Sequence, residues 1–261
     1  MELPSRGIRQ MVSTAQGQFR LGTVISRSLA VLANNAVPFG ILYLIINAPS
    51  SIYAFTLAGT PGADEDTGVK LLSFAEAFLG LAAGAAATYG TVQELRGRRV
   101  GLSELIGRGL AQGGAAIRVA LLSGIFLILA FIALVIPSLV FYTMWWVAIP
   151  VAVIERPGAM ASLRRSAELT RGNRWRVFGL IVCLFAMLFT ALVLFVLVLF
   201  AVFFVSQRAD QTFLDRVTAV ATWLLSALFM AVQAVLTAVS YYYLRVAKEG
   251  IGIEDIGAVF D

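Results

Sequence analysis

The chain has 261 residues, 59% of them hydrophobic and 13% charged, with a formal net charge of +5 and a mean hydropathy of +0.86. That balance excludes an ordinary soluble domain and assigns most of the chain to a lipid bilayer. With no histidine and a single cysteine, Cys183, a Ser-His-Asp arrangement and an intramolecular disulfide are excluded, and transition-metal sites lose their usual ligands.

Residues 1–23 are polar, carry Arg6, Arg9 and Arg20, and contain no apolar core of a secretory signal. A membrane-crossing helix needs about 20 mostly apolar residues. Runs of that kind predict six spans, near 36–56, 70–92, 118–136, 138–154, 177–205 and 217–244. The expectation is an all-α polytopic membrane protein forming one integral domain over residues 1–261, with no separate soluble domain. No ten-residue alternation recurs, which argues against an outer-membrane barrel.

Along the chain, the acidic, turn-rich 60–68 segment reads as a solvated connector, since it lacks the ligand spacing of an EF-hand. Glu76, in the second span, is the one ionisable residue clearly inside the apolar stretches, and with Gln233 it forms the candidate intramembrane polar site. Gly80, Gly84, Thr88 and Gly90 follow, a small-residue pattern that suits close helix packing better than a pore. Pro137 and Pro150 interrupt the fourth span, and the position of the turn near Pro137-Ser138 is open. Trp145 and Trp146 fall at mid-depth rather than at an interface. Either the turn lies elsewhere, or these rings pack against protein or a lipid tail. Cys183, in the fifth span, reads as a buried small residue.

Charge sets the expected orientation. With both termini in the cytoplasm, the cytoplasmic segments hold seventeen of the twenty lysines and arginines, and only Lys70, Arg208 and Arg216 fall outside. The outer loops carry Asp64, Glu65, Asp66, Asp210 and Asp215. The basic character is therefore a topology signal and requires no nucleic-acid partner. Eighteen of the twenty cations are arginine, a composition that fits a GC-rich bacterial genome and an inner-membrane location.

Three short segments align on Arg27, Arg108 and Arg165. Ile25, Ile106 and Leu163 stand two residues earlier, Ser28, Gly109 and Ser166 one residue later, and Asn35, Ala116 and Asn173 eight residues later. The pattern predicts three repeats, each an interfacial amphipathic helix followed by a transmembrane hairpin. In the third copy Met160, Leu163, Ala167 and Thr170 share one face, Arg164, Glu168 and Arg171 the other, and Gly172-Asn173 suits a left-handed cap. Arginines on such helices sit at phosphate level. The candidate headgroup ligands are Arg27, Arg108, Arg164, Arg165, Arg171, Arg174 and Arg176, with anchoring alone as the plainer reading. Glu94, Glu104, Glu155 and Glu168 each have an arginine within four residues and read as structural ion pairs.

The run from Pro150 through Glu155, Leu163, Arg165, Ser166, Gly172, Asn173 and Trp175 to Gly179 resembles a signature of multi-span bacterial membrane proteins. These are the YciC-like proteins and the membrane domain fused to some glycerophosphodiester phosphodiesterases. Ser26-Arg27-Ser28, Asn34-Asn35, Pro38-Phe39 and Tyr243-Leu244-Arg245 resemble the patterns at its two ends. The resemblance implies an all-helical membrane domain near phospholipid chemistry. Diesterase activity is not expected to carry over, because in the fused members that chemistry resides in a separate soluble domain and residues 1–261 read as membrane domain alone. The expected function is non-catalytic, without cofactor or metal: lipid association through the cytoplasmic arginines, or an accessory subunit. The alternative is a small transporter or channel using Glu76. Phospholipids are the expected partners, with a protein partner or a second copy left open.

Overall fold

In the computed structural model, residues 19–62, 65–133, 135–206 and 210–250 are described, and all their regular structure is helical. Arg6, Arg9, Asp64, Arg208 and the 251–261 tail lie outside them. The elements are α1 (Leu21–Asn34), α2 (Ala36–Ile46), α3 (Ala48–Thr56), α4 (Thr67–Leu95) and α5 (Leu102–Ala133), followed by α6 (Val135–Met144), α7 (Ala148–Ile154), α8 (Ala159–Thr170), α9 (Arg174–Ser206) and α10 (Gln211–Glu249). Five helical stretches are long and apolar enough to cross a bilayer, or up to six if α1 and α2 together count as one. This is a multi-pass membrane protein.

The breaks have a common cause. Proline lacks an N–H and clashes with the carbonyl four residues earlier, so it is tolerated only in a helix's first turn. Pro38, Pro49, Pro137 and Pro150 each occupy the first turn of α2, α3, α6 and α7. Two breaks are finished by asparagine: Asn35 Nδ2 donates to the Val31 carbonyl at 3.0 Å, and Asn47 Nδ2 to that of Tyr43 at 2.8 Å. At Asn35 the chain turns by 83°, setting α1 across the direction of α2. The third and fourth predicted spans correspond to two separate apolar helical stretches, Leu102–Ile132 and Ile136–Ile154.

The predicted repeat units differ from one another. Asn35 and Asn173 stand at helix breaks, but the matching Ala116 does not, and α5 runs unbroken from Leu102 into the membrane. Alanine has no side chain with which to cap a broken turn and favours continuation. α8 is a separate helix, ended by Gly172 at φ +87°. Its buried face, however, consists of Ser162, Leu163, Ser166, Leu169 and Thr170, with Met160 exposed.

α4 and α5 form the closest pair. A Cβ added at Gly109 would lie 2.9 Å from Ala86 Cβ and 3.0 Å from the Ala82 carbonyl oxygen, and one at Gly113 would lie 2.8 Å from Ala82 Cβ. Small residues four apart on both helices thus let the backbones meet. Most fully buried side chains, among them Phe39, Tyr89, Leu105, Ile154, Leu169, Leu180, Tyr241 and Leu244, gather toward the arginine-rich end of the bundle. Cys183 is exposed on α9, not buried, because that helix presents most of its surface outward.

Candidate functional site

At the arginine-rich end, α7, α8 and α10 are tied by a closed ring of polar contacts. Arg165 Nε donates to Glu155 Oε2 at 3.0 Å, and its other arm pairs with Glu249. Glu249 accepts from Arg245 Nε at 3.0 Å, Arg245 donates to the Tyr241 hydroxyl at 3.0 Å, and that hydroxyl donates to Glu155 Oε1 at 2.9 Å. Every member has two partners. Burial opposes the charge on Arg165, yet the bonds to Glu249 and Glu155 outweigh it and hold the guanidinium above its ordinary value. Close by, Ser166 and Thr170 hydroxyls donate to the Met144 carbonyl at 2.8 and 3.3 Å, satisfying an acceptor freed where α6 ends.

The other predicted headgroup ligands diverge. Arg176 donates to the Phe19 carbonyl and to Asn173 Oδ1, and Arg174 is half-buried with its Nε unpartnered. Arg27, Arg164 and Arg171 are exposed, and Arg164 forms no ion pair with Glu168 among the described residues. Arg108 lines a pocket.

That pocket, about 410 Å³, lies between α5 and the α7–α8 turn and is lined by Arg108, Arg118, Arg156 and Gln112 among small residues, with no carboxylate. Arg108 stacks 5.0 Å from the Tyr89 ring centroid. The Gln112 amide, oriented to satisfy both neighbours, donates to the Val153 carbonyl and accepts from Arg156 Nη2, each at 3.1 Å. Arg156 sits at φ +52°, a left-handed conformation that disfavours a non-glycine residue by roughly 1–2 kcal/mol. Neither Arg118 nor Arg156 is among the candidate headgroup ligands that the sequence offers. Their signal is the ten-residue spacing of Arg108 and Arg118 on α5 and a turn after Pro150, and neither becomes a site until α5 and α7 pack together.

Glu76 is buried, and its carboxylate accepts from the Ser50 backbone N–H and the Ser50 hydroxyl, both at 2.6 Å. It closes the N-terminus of α3 from a neighbouring helix, where the helix dipole favours negative charge. Asp66 and Asp210 cap α4 and α10 in the same way, accepting from Gly68, Val69 and Phe213. The acidic end is thus an end of helix N-termini. Trp145 stacks on Phe141 at 4.9 Å between centroids and lies 5.9 Å from Phe126, while Trp146 meets Tyr142 edge-on. The mid-depth indoles therefore pack against protein.

The fold is that of a helical multi-pass membrane protein with a basic pocket at one end. The family described as "Domain of unknown function (DUF7847)" matches residues 3–244, and the chain belongs to it. No curated protein and no solved structure matches the chain, and nothing in these comparisons links it to the YciC-like or phosphodiesterase-associated group.

Proposed function

We propose that this protein is a non-catalytic inner-membrane protein, its arginine-rich end in the cytoplasm, that binds the phosphate-bearing headgroups of anionic lipids. The observation that carries this reading is the pocket where Arg108, Arg118 and Arg156 converge without a carboxylate. Guanidinium groups match phosphate oxygens in bidentate geometry. The strained backbone at Arg156 supports a placed rather than incidental charge. Exposed Arg27, Arg164 and Arg171 on the same side add leaflet attraction, worth about 1 kcal/mol each near an anionic surface.

The test is native mass spectrometry of the protein released from membranes containing phosphatidylglycerol, comparing the natural chain with Arg118→Ala and Arg156→Ala. Retention of the anionic lipid is expected to fall roughly five-fold for each arginine removed, with unchanged thermal unfolding. Equal retention in stably folded variants would overturn the reading.

A further inference from the structure

A second cavity, about 320 Å³, lies deeper in the bundle, bounded by α2, α4, α5, the α6–α7 break and α10. Val119 of α5 lines both cavities, so the deeper one begins where the basic pocket ends. Its chemistry is different. No charged residue lines it, and its wall is aromatic and small: Tyr142, Trp145, Gly84 and Gly124 among others.

Three polar groups in this wall stand out. Tyr43 and Trp146 are 1% and 6% exposed, yet neither the Tyr43 hydroxyl nor the Trp146 indole N–H has a hydrogen-bond partner. An unmet buried donor costs about 1–3 kcal/mol, so two in one cavity wall call for an explanation. Gln233 is half-buried in the same wall and forms no hydrogen bond among the described residues. By contrast, the hydroxyls of Thr88, Ser123 and Thr237 donate to carbonyls of their own helices. Donors of Tyr43, Trp146 and Gln233 are therefore unmet beside an apolar, uncharged wall, and a ligand oxygen is what each lacks.

We infer that this cavity binds an uncharged membrane-soluble molecule through a carbonyl oxygen, which accepts from the half-buried Gln233 amide while its apolar body packs on the aromatic wall beside the unmet donors of Tyr43 and Trp146. An anionic headgroup does not fit this chemistry, because nothing in the wall neutralises charge. The volume suits a small headgroup or ring at the lower end of ordinary ligand sites. Two sources supply such a carbonyl from within a bilayer: the ester of a neutral glycerolipid and the ring carbonyl of a lipophilic quinone.

Glycine placement provides the test. A Cβ built on Gly84 or on Gly124 meets no atom within 4 Å, so leucine at either position enters open space and fills the cavity without displacing a helix. The full-length protein would be purified in mild detergent, its bound small molecules extracted, and neutral carbonyl lipids quantified by mass. About one equivalent is expected with the natural chain, a drop of at least five-fold in Gly84→Leu and Gly124→Leu, and a smaller drop in Gln233→Leu. Thermal unfolding of the glycine variants shows whether each is folded, and either one alone suffices. An ester lipid or a quinone in the extract identifies the source. No neutral carbonyl lipid on the natural chain, or equal amounts on folded cavity-filled variants, would overturn the inference. Arg156→Ala should leave this retention unchanged, so the result is independent of the headgroup reading.

Discussion

The arginine-rich and acidic halves of the bundle differ sharply in packing, and the more apolar helix is not the better buried. In the arginine-rich half, α4 is almost wholly buried from Ala83 to Gln93, and α10 buries Ala227, Ala231, Val235 and Val239. In the acidic half, α9 exposes Phe189, Leu194 and Phe200, and α5 exposes Ile128, Phe131 and Ile132. Of the most apolar window of α4, 39% of residues are buried, against 11% for α9, the more hydrophobic helix. Hydrocarbon is as good a neighbour for leucine as another leucine, so apolarity does not drive helices together in a bilayer. Close approach and hydrogen bonds do, and toward the arginine-rich end the glycine seam of α4 and α5 and the Arg165 ring supply both.

The comparison can be broken at three points. Gly109→Leu forces a side chain against Ala86 and the Ala82 carbonyl, and should lower stability by about 3 kcal/mol or more, read as a fall in unfolding midpoint in a single detergent. Unaltered unfolding would show that the α4–α5 seam does not hold the packed half together. Arg165→Ala leaves Glu155 and Glu249 without their shared partner, and about 1–3 kcal/mol should be lost in the same assay. Restoring part of that loss by also replacing Glu249 with glutamine would show that stranded charge is the cause. Phe189→Ala, on the lipid-facing stretch of α9, should change the midpoint by no more than about 0.5 kcal/mol equivalent. A large loss there would mean that the outer half is covered by a partner.

Much of this organisation can be read along the chain, and the limits of that reading are physical. Hydrophobic runs locate the spans near 70–92, 177–205 and 217–244 because solvation by lipid is a local property of sequence. The acidic and basic ends separate for the same reason. What the runs do not show is where a helix breaks. Asn35, Asn47 and the four helical prolines carry that information, and only Pro137 and Pro150 stand out against the apolar background. The repeat alignment pairs Arg27, Arg108 and Arg165, yet the three end in different surroundings: exposed, pocket-lining and ion-paired. Glu76 is conspicuous by its burial, but its role as a cap depends on Ser50 arriving from another helix. Cavities are gaps between helices, and no single segment encodes one. Gln233 is legible as an oddity, whereas Tyr43 and Trp146 become notable only when their donors prove unmet.

The ring joining Glu155, Arg165, Tyr241, Arg245 and Glu249 also imposes an order on biosynthesis. Arg165 can meet Glu155 as soon as α8 folds back, but Glu249 lies 84 residues further along, beyond two more membrane-crossing helices. Until α10 is in place, one arm of Arg165 therefore lacks its protein partner. The ring closes only when α10 is in place, so a chain halted before Glu249 leaves Arg165 with Glu155 as its one partner in the ring.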